Sequence, residues 1–181
     1  MGFRVFFKRL SKIDSNRVTS IAAIVVSVAT LIVLVYQLQL TRKQQYVSVL
    51  PYLSISYSRP SLDEYKLYVT NVGIGPAFIE NVTFKFPHQD FEGDGYFCFF
   101  KYNKKTMEKS QIYSSGFKGG NMLPSENSSV IIGVRDSEND ANIVREFFTS
   151  DSLTIEVVYS SVYGEKWVLS NKDGVKKLNL N

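Results

Sequence analysis

The spacing of apolar positions changes once along the chain. Residues 18–36 (VTSIAAIVVSVATLIVLVY) are nearly continuous in apolar character, inside a charge-free stretch that runs from Arg17 to Arg42. At ~1.5 Å per residue this run makes ~28 Å of helix, close to the ~30 Å hydrocarbon core of a bilayer. It exceeds the roughly 7–15 residues of a signal-peptide core, and no A-x-A-like cleavage site follows, so a retained transmembrane helix is predicted over residues 18–40. Gln37, Gln39 and residues 41–45 read as that helix running out into water, with 41–50 a linker. In residues 1–17, Phe3, Phe6, Phe7, Leu10 and Ile13 keep helical spacing, with Arg4, Lys8, Arg9 and Lys12 between them. Two readings are open: a short amphipathic helix on the membrane surface, its cations toward anionic headgroups, or a basic flank that only sets topology.

After Pro51 the period becomes two. Residues 52–57, 65–69, 79–86, 129–134 and 153–159 alternate aromatic or β-branched residues with polar ones, the mark of half-buried antiparallel strands. Residues 96–102 (YFCFFKY) are apolar on both parities, which predicts a central strand covered on both faces; 111–114, 166–169 and 175–180 complete the set. Turn signals separate them, among them Arg59-Pro60, Gly93-Asp94-Gly95, Leu123-Pro124 and Asp173-Gly174. One short helix is expected, over 138–148, with Ser137 or Asp136 as cap and Ile143, Val144, Phe147 and Phe148 as its apolar stripe. The expected fold is mainly β: an N-terminal transmembrane helix, then an antiparallel β-sandwich or partly closed barrel over 51–181.

Charge sharpens the membrane reading. Five basic residues and one acidic one in residues 1–17 account for the whole net charge of +4, so the rest of the chain is neutral. Nothing in that balance calls for a nucleic-acid-binding domain. The same excess of cations before the span places the N-terminus in the cytoplasm and the chain in the cell (inner) membrane by the positive-inside rule. A single cysteine and a single histidine exclude an intramolecular disulfide and a structural zinc site, and no cofactor is expected.

Catalytic chemistry is thinly supplied. His88 lies in a loop with no G-x-S-x-G context, and Cys98, between Phe97 and Phe99, reads as a small buried hydrophobe. Residues 90–95 (DFEGDG) copy half of a calcium loop, but Glu stands at position 3 and Lys101 at position 12, so a solvated turn is expected; an enzyme using Asp90, Glu92 and Asp94 is the rival reading. Asp136, Glu138 and Asp140 read as an acidic first turn complementing a helix dipole. Binding has two candidates. Thr19, Ala23, Ser27 and Thr30 form a strip of small side chains that lets helices approach closely. Lys101, Lys104, Lys105 and Lys109, in an expected hairpin tip, form the basic cluster of the domain and a possible contact for a small anionic ligand.

The run from Tyr68 to Thr83 contains Asn71-Val72-Gly73-Ile74-Gly75-Pro76-Ala77. With Pro51 and Leu53 before it and Tyr159 and Tyr163-Gly164 after it, this N-x-G-x-G-P-A turn resembles small bacterial single-pass membrane proteins carrying an immunoglobulin-like β-sandwich. The turn reads as glycines supplying positive φ, with Asn71 bonding its own backbone. Some similar architectures are membrane effectors in antiphage defence, and the resemblance implies that role without assigning residues. The expected function is therefore a non-enzymatic, membrane-anchored binding or sensing module, self-associating or engaging a protein partner. The alternative is a passive anchor or assembly subunit that recruits a neighbour.

Overall fold

The computed structural model describes residues 15–108 and 110–178 and divides the chain into two compact units, meeting between Val47 and Ser48. The first unit is one helix, α1 (Ser15–Val47), about 50 Å long at 1.5 Å per residue. Its side chains are exposed along nearly its whole length, Ile24 and Leu31 by more than 60%. It is long and apolar enough to cross a membrane. It also outlasts the apolar run, continuing through most of residues 41–50. The basic residues Arg4, Lys8, Arg9 and Lys12 lie outside the described residues.

The second unit holds two antiparallel sheets around one core. The strands are β1 (Leu53–Ser58), β2 (Tyr65–Asn71), β3 (Ala77–Phe86), β4 (Gln89–Glu92), β5 (Gln111–Tyr113), β6 (Met122–Leu123), β7 (Ser128–Arg135), β8 (Thr154–Ser160), β9 (Lys166–Ser170) and β10 (Gly174–Leu178). One sheet runs β1-β2-β7-β5, the other β10-β9-β8-β3-β4 with β6 beside β3. Neither closes into a barrel among the described residues. Leu53, Leu67, Val69 and Ile132 from the first sheet meet Val82, Phe84, Ile155, Val157 and Leu169 from the second in one buried cluster.

The alternation read from sequence is visible strand by strand. β2 is buried at every odd residue from Tyr65 to Asn71, and β8 at Ile155, Val157 and Tyr159. In β3 the buried set switches from Ala77 and Ile79 to Val82 and Phe84, because the register against β8 shifts between Ile79 and Asn81. A bulge of one residue exchanges the two faces of a strand, and here it keeps both halves of β3 facing the core.

Two helices complete the unit. One matches expectation: α3 (Glu138–Phe148), capped by Ser137, whose Oγ accepts the Asp140 N–H at 3.2 Å. The other corrects it, because residues 96–102 are not a strand but lie in α2 (Gly95–Tyr102). Asp94 caps this helix, accepting the Tyr96 N–H at 2.7 Å. Its inward residues Gly95, Cys98, Phe99 and Tyr102 follow i, i+3, i+4, i+7, a helical face hidden in the sequence because the outward positions Phe97 and Phe100 are aromatic too. Phe99 stands 5.2 Å from Phe147 and 6.2 Å from Phe148, and Phe148 is 6.1 Å from Phe84, centroid to centroid, so α2, α3 and β3 share an aromatic layer.

Candidate binding surface

The N-x-G-x-G-P-A turn turns out to be a structural clamp. Asn71 is fully buried. Its Nδ2 donates to the carbonyls of Gly75 (2.8 Å) and Leu123 (3.0 Å), and its Oδ1 accepts from the N–H of Gly73 (3.0 Å) and of Tyr52 (3.2 Å). The Asx turn to Gly73 is as the sequence implied; the glycine reading is not. Positive φ occurs at Gly93, Gly116, Gly120, Gly164 and Gly174, but not at Gly73 or Gly75. Those two are glycine because backbone approaches them closely: a Cβ on Gly73 would lie 2.3 Å from the Tyr52 nitrogen, and one on Gly75 1.8 Å from the Val49 oxygen.

The half calcium loop is likewise built for another purpose. Asp90 and Glu92 lie on β4, paired with Lys85 and Thr83 across the strand, and Asp94 is a buried helix cap whose carboxylate also accepts from Ser114 Oγ at 3.0 and 3.1 Å. The expected solvated turn is therefore a strand followed by a buried cap. Asp140 does more than complement a helix dipole: fully buried, its Oδ1 accepts the Glu108 N–H at 2.9 Å, while Ser137 Oγ donates to the Glu108 carboxylate at 2.8 Å. Together they pin the segment after α2 to the start of α3. His88 is exposed in the β3–β4 turn. Cys98 is buried on α2, and burial pushes its thiol up to about 12, far from the thiolate that nucleophilic chemistry needs.

The lysine cluster sits at the end of a helix, not at a hairpin tip. Lys101 lies on the last turn of α2, its ammonium 5.3 Å from the Phe91 ring centroid and 5.2 Å from that of Tyr102. Lys104 is exposed in the following loop, Lys105 is paired with Glu146 on α3, and Lys109 lies outside the described residues. Beside them an open hollow of about 280 Å³ is floored by Phe86, Ile143 and Phe147 and rimmed by Asn103, Lys105 and Glu146. Small apolar hollows with a few polar rim groups suit a side chain or a small ligand.

Sequence reasoning missed the outward face of α2. Phe97 is 67% and Phe100 47% exposed, and Tyr96 packs against both, at 5.7 and 4.7 Å. Three adjoining aromatic rings on an exposed helix, next to the cations Lys101 and Lys104, have the composition of an interface core with a charged rim. The signal was present in sequence as the cap pair Asp94 and Asn103 around an eight-residue helix.

On α1, Thr19, Ala23, Ser27 and Thr30 fall along the exposed helix surface. Ser27 Oγ donates to the Ala23 carbonyl and Thr30 Oγ1 to that of Val26, both at 2.8 Å, so these hydroxyls are satisfied within the helix itself. A search of curated proteins finds no match. The segment from residue 18 to residue 173 matches the family described as Domain of unknown function (DUF8453), and the protein belongs to that family.

Proposed function

We propose that this protein is a single-pass, membrane-anchored binding module whose β-sandwich engages a protein partner through the outward face of α2. The observation that carries the reading is the exposure of Phe97 and Phe100 on a helix whose other face is packed into the core. Exposing two phenylalanines to water has a cost that an occupied surface removes, and aromatic side chains dominate binding energy at protein interfaces. Lys101 and Lys104 beside them favour a partner with an acidic rim. In this reading α1 holds the module in the bilayer, and the strip Thr19, Ala23, Ser27 and Thr30 is the face through which copies associate. Such a module can also act as a membrane effector, as in antiphage defence.

The test is stoichiometric co-purification of the full-length protein from native membranes, wild type against Phe97→Ser/Phe100→Ser. Loss of a stoichiometric partner, with the thermal midpoint unchanged, supports the reading. A partner retained by the double variant moves the contact elsewhere and leaves the passive-anchor alternative. An Ala23→Leu variant that crosslinks between copies as the wild type does removes the association claim, and membrane permeability measured on the same variants separates an effector from an anchor. A second reading, a small anionic ligand held by Lys101 and Lys104 at the C-terminal end of α2, is favoured by the aromatic seat of Lys101 on the Phe91 and Tyr102 rings. It predicts that Lys101→Ala/Lys104→Ala abolishes the response while the partner is retained.

A further inference from the structure

The strand registers bring several loops to one end of the sandwich. Leu53, the first residue of β1, opposes Asn71, the last of β2; Thr70 opposes Ser128, Phe78 opposes Ser160, and Ser160 opposes Lys166. Segments 48–52, 72–76, 124–127 and 161–165 therefore emerge together. The first three are stitched to one another: the Val72 N–H donates to the Tyr52 carbonyl (2.8 Å), the Ile74 N–H to that of Leu50 (3.1 Å), and Ser125 Oγ to that of Gly73 (2.6 Å).

This end carries apolar side chains where turns ordinarily carry polar ones. Val72 is 60%, Ile74 69% and Val162 49% exposed, with Tyr52 and Met122 exposed nearby. Segments 48–52 (SVLPY) and 72–76 (VGIGP) hold no charged residue, and segments 124–127 and 161–165 hold one each, Glu126 and Glu165. The loops at the opposite end, by contrast, hold Arg59, Asp63, Lys104, Glu108, Lys172 and Asp173. The apolar end is also the one at which the chain arrives from α1. The apolar run stops at Tyr36 and α1 continues to Val47, roughly 16 Å further, against a headgroup layer of roughly 5–8 Å per leaflet. Three residues later Leu50 is bonded to Ile74. The covalent chain thus keeps the 72–76 loop within roughly 30 Å of the hydrocarbon boundary at full stretch, and nearer when the span tilts.

We infer that this end of the sandwich, led by Val72, Ile74 and Val162, docks on the lipid surface and sets its aliphatic side chains among the headgroups. The occupant is the bilayer because the tether joins the domain at this end, and because the two loops bonded to each other beside the tether, 48–52 and 72–76, lack the charges that would hold them in water. The inference rests on the reading of α1 as a membrane span. The consequence is that the far end, with α2 and the 101–108 loop, is the part of the domain offered to soluble or membrane-bound partners.

The full-length protein is reconstituted into phosphatidylcholine/phosphatidylglycerol nanodiscs and labelled with an environment-sensitive thiol fluorophore at one introduced cysteine. Native Cys98 is buried, and unlabelled wild type serves as its control. Positions are Ile74→Cys, Val162→Cys, the exposed far-loop Leu62→Cys and the mid-span Leu31→Cys. Headgroup-level nitroxide lipid is expected to quench the labels at 74 and 162 at least threefold more than the label at 62, and acyl-chain nitroxide to quench the label at 31. Equal quenching at 74 and 62, with 31 quenched, overturns the docking and leaves the span standing. No quenching at 31 removes the span itself. Excimer formation between labels at 74, without nitroxide sensitivity, assigns the surface to a second copy instead and equally overturns lipid docking.

Discussion

Gly75 passes Val49 with no room for a side chain: a Cβ would stand 1.8 Å from the Val49 carbonyl oxygen and 2.3 Å from its carbon. Both contacts are backbone, so neither can move aside without breaking the bonds from Ile74 and Gly75 N–H to Leu50. Gly75→Ala is therefore expected to lower stability by roughly 3 kcal/mol or more, a loss of the size that backbone strain and core disruption produce. Thermal unfolding in detergent, followed through Trp167, reads it; Trp167 stacks 5.7 Å from the buried Tyr159. Gly75→Asn separates the mechanisms. Asparagine rescues a position that needs positive φ, and it is expected to fail here. Rescue would restore the positive-φ account.

Asn71 makes the same clamp from the side-chain direction. Its amide satisfies two buried carbonyls and two partly buried N–H groups at once. Asn71→Ala strands all four and is expected to cost about 3–4 kcal/mol. Asn71→Asp keeps the acceptor for Gly73 and Tyr52 but turns an oxygen toward the carbonyls of Gly75 and Leu123, so it is expected to be no milder. If Asn71→Asp melts as wild type, the two donated bonds contribute nothing.

The clamp also shows how far sequence carried. The strands with strict alternation, β2 and β8, were legible residue by residue because one buried face imposes a period of two. Helix α3 was legible to its ends because Ser137 is a strong cap before a clear apolar stripe. Helix α2 was not, since Phe97 and Phe100 on its wet face erase the polar positions that distinguish a helix from a buried strand. Misreading it also misplaced Lys101, Lys104 and Lys105. The short strands β4 and β6 escaped because pairing with β3, not local pattern, makes them strands. Gly73 and Gly75 were flagged correctly and explained wrongly: what limits them is a neighbour some twenty residues earlier in the chain, which no local rule sees.

Tyr65 carries an imperfection that substitution can remove. It is fully buried at the start of β2, and its hydroxyl has no hydrogen-bond partner among the described residues. Burying an unsatisfied hydroxyl costs on the order of 1–3 kcal/mol, while the ring supplies the packing. Tyr65→Phe is expected to leave the fold unchanged and raise stability by about 1 kcal/mol in denaturant unfolding. A loss of comparable size would show that the hydroxyl is bonded in solution.

The same burial sets the alkaline limit of the domain. Desolvation pushes the phenols of Tyr65 and Tyr159 from 10.0 up to about 12, and the thiol of Cys98 from 9.0 up to about 12. Each group stays protonated in the folded state at pH values where the unfolded chain releases its proton. The folded state then binds more protons, and stability falls as pH rises. The contribution is complete below pH 9, begins to fall between 9 and 10 through Cys98, and falls further between 10 and 12 as the tyrosines join. Each group adds at most about 1.4 kcal/mol per pH unit within its window. The thermal midpoint is expected to be level up to about pH 9 and then to decline with increasing slope. Cys98→Ala, which removes a small side chain and its titration together, is expected to flatten the curve between pH 9 and 10 while leaving the decline above pH 10. Parallel curves for the variant and the wild type across pH 9–10 would show that the Cys98 thiol ionises no later in the folded protein than in the unfolded chain.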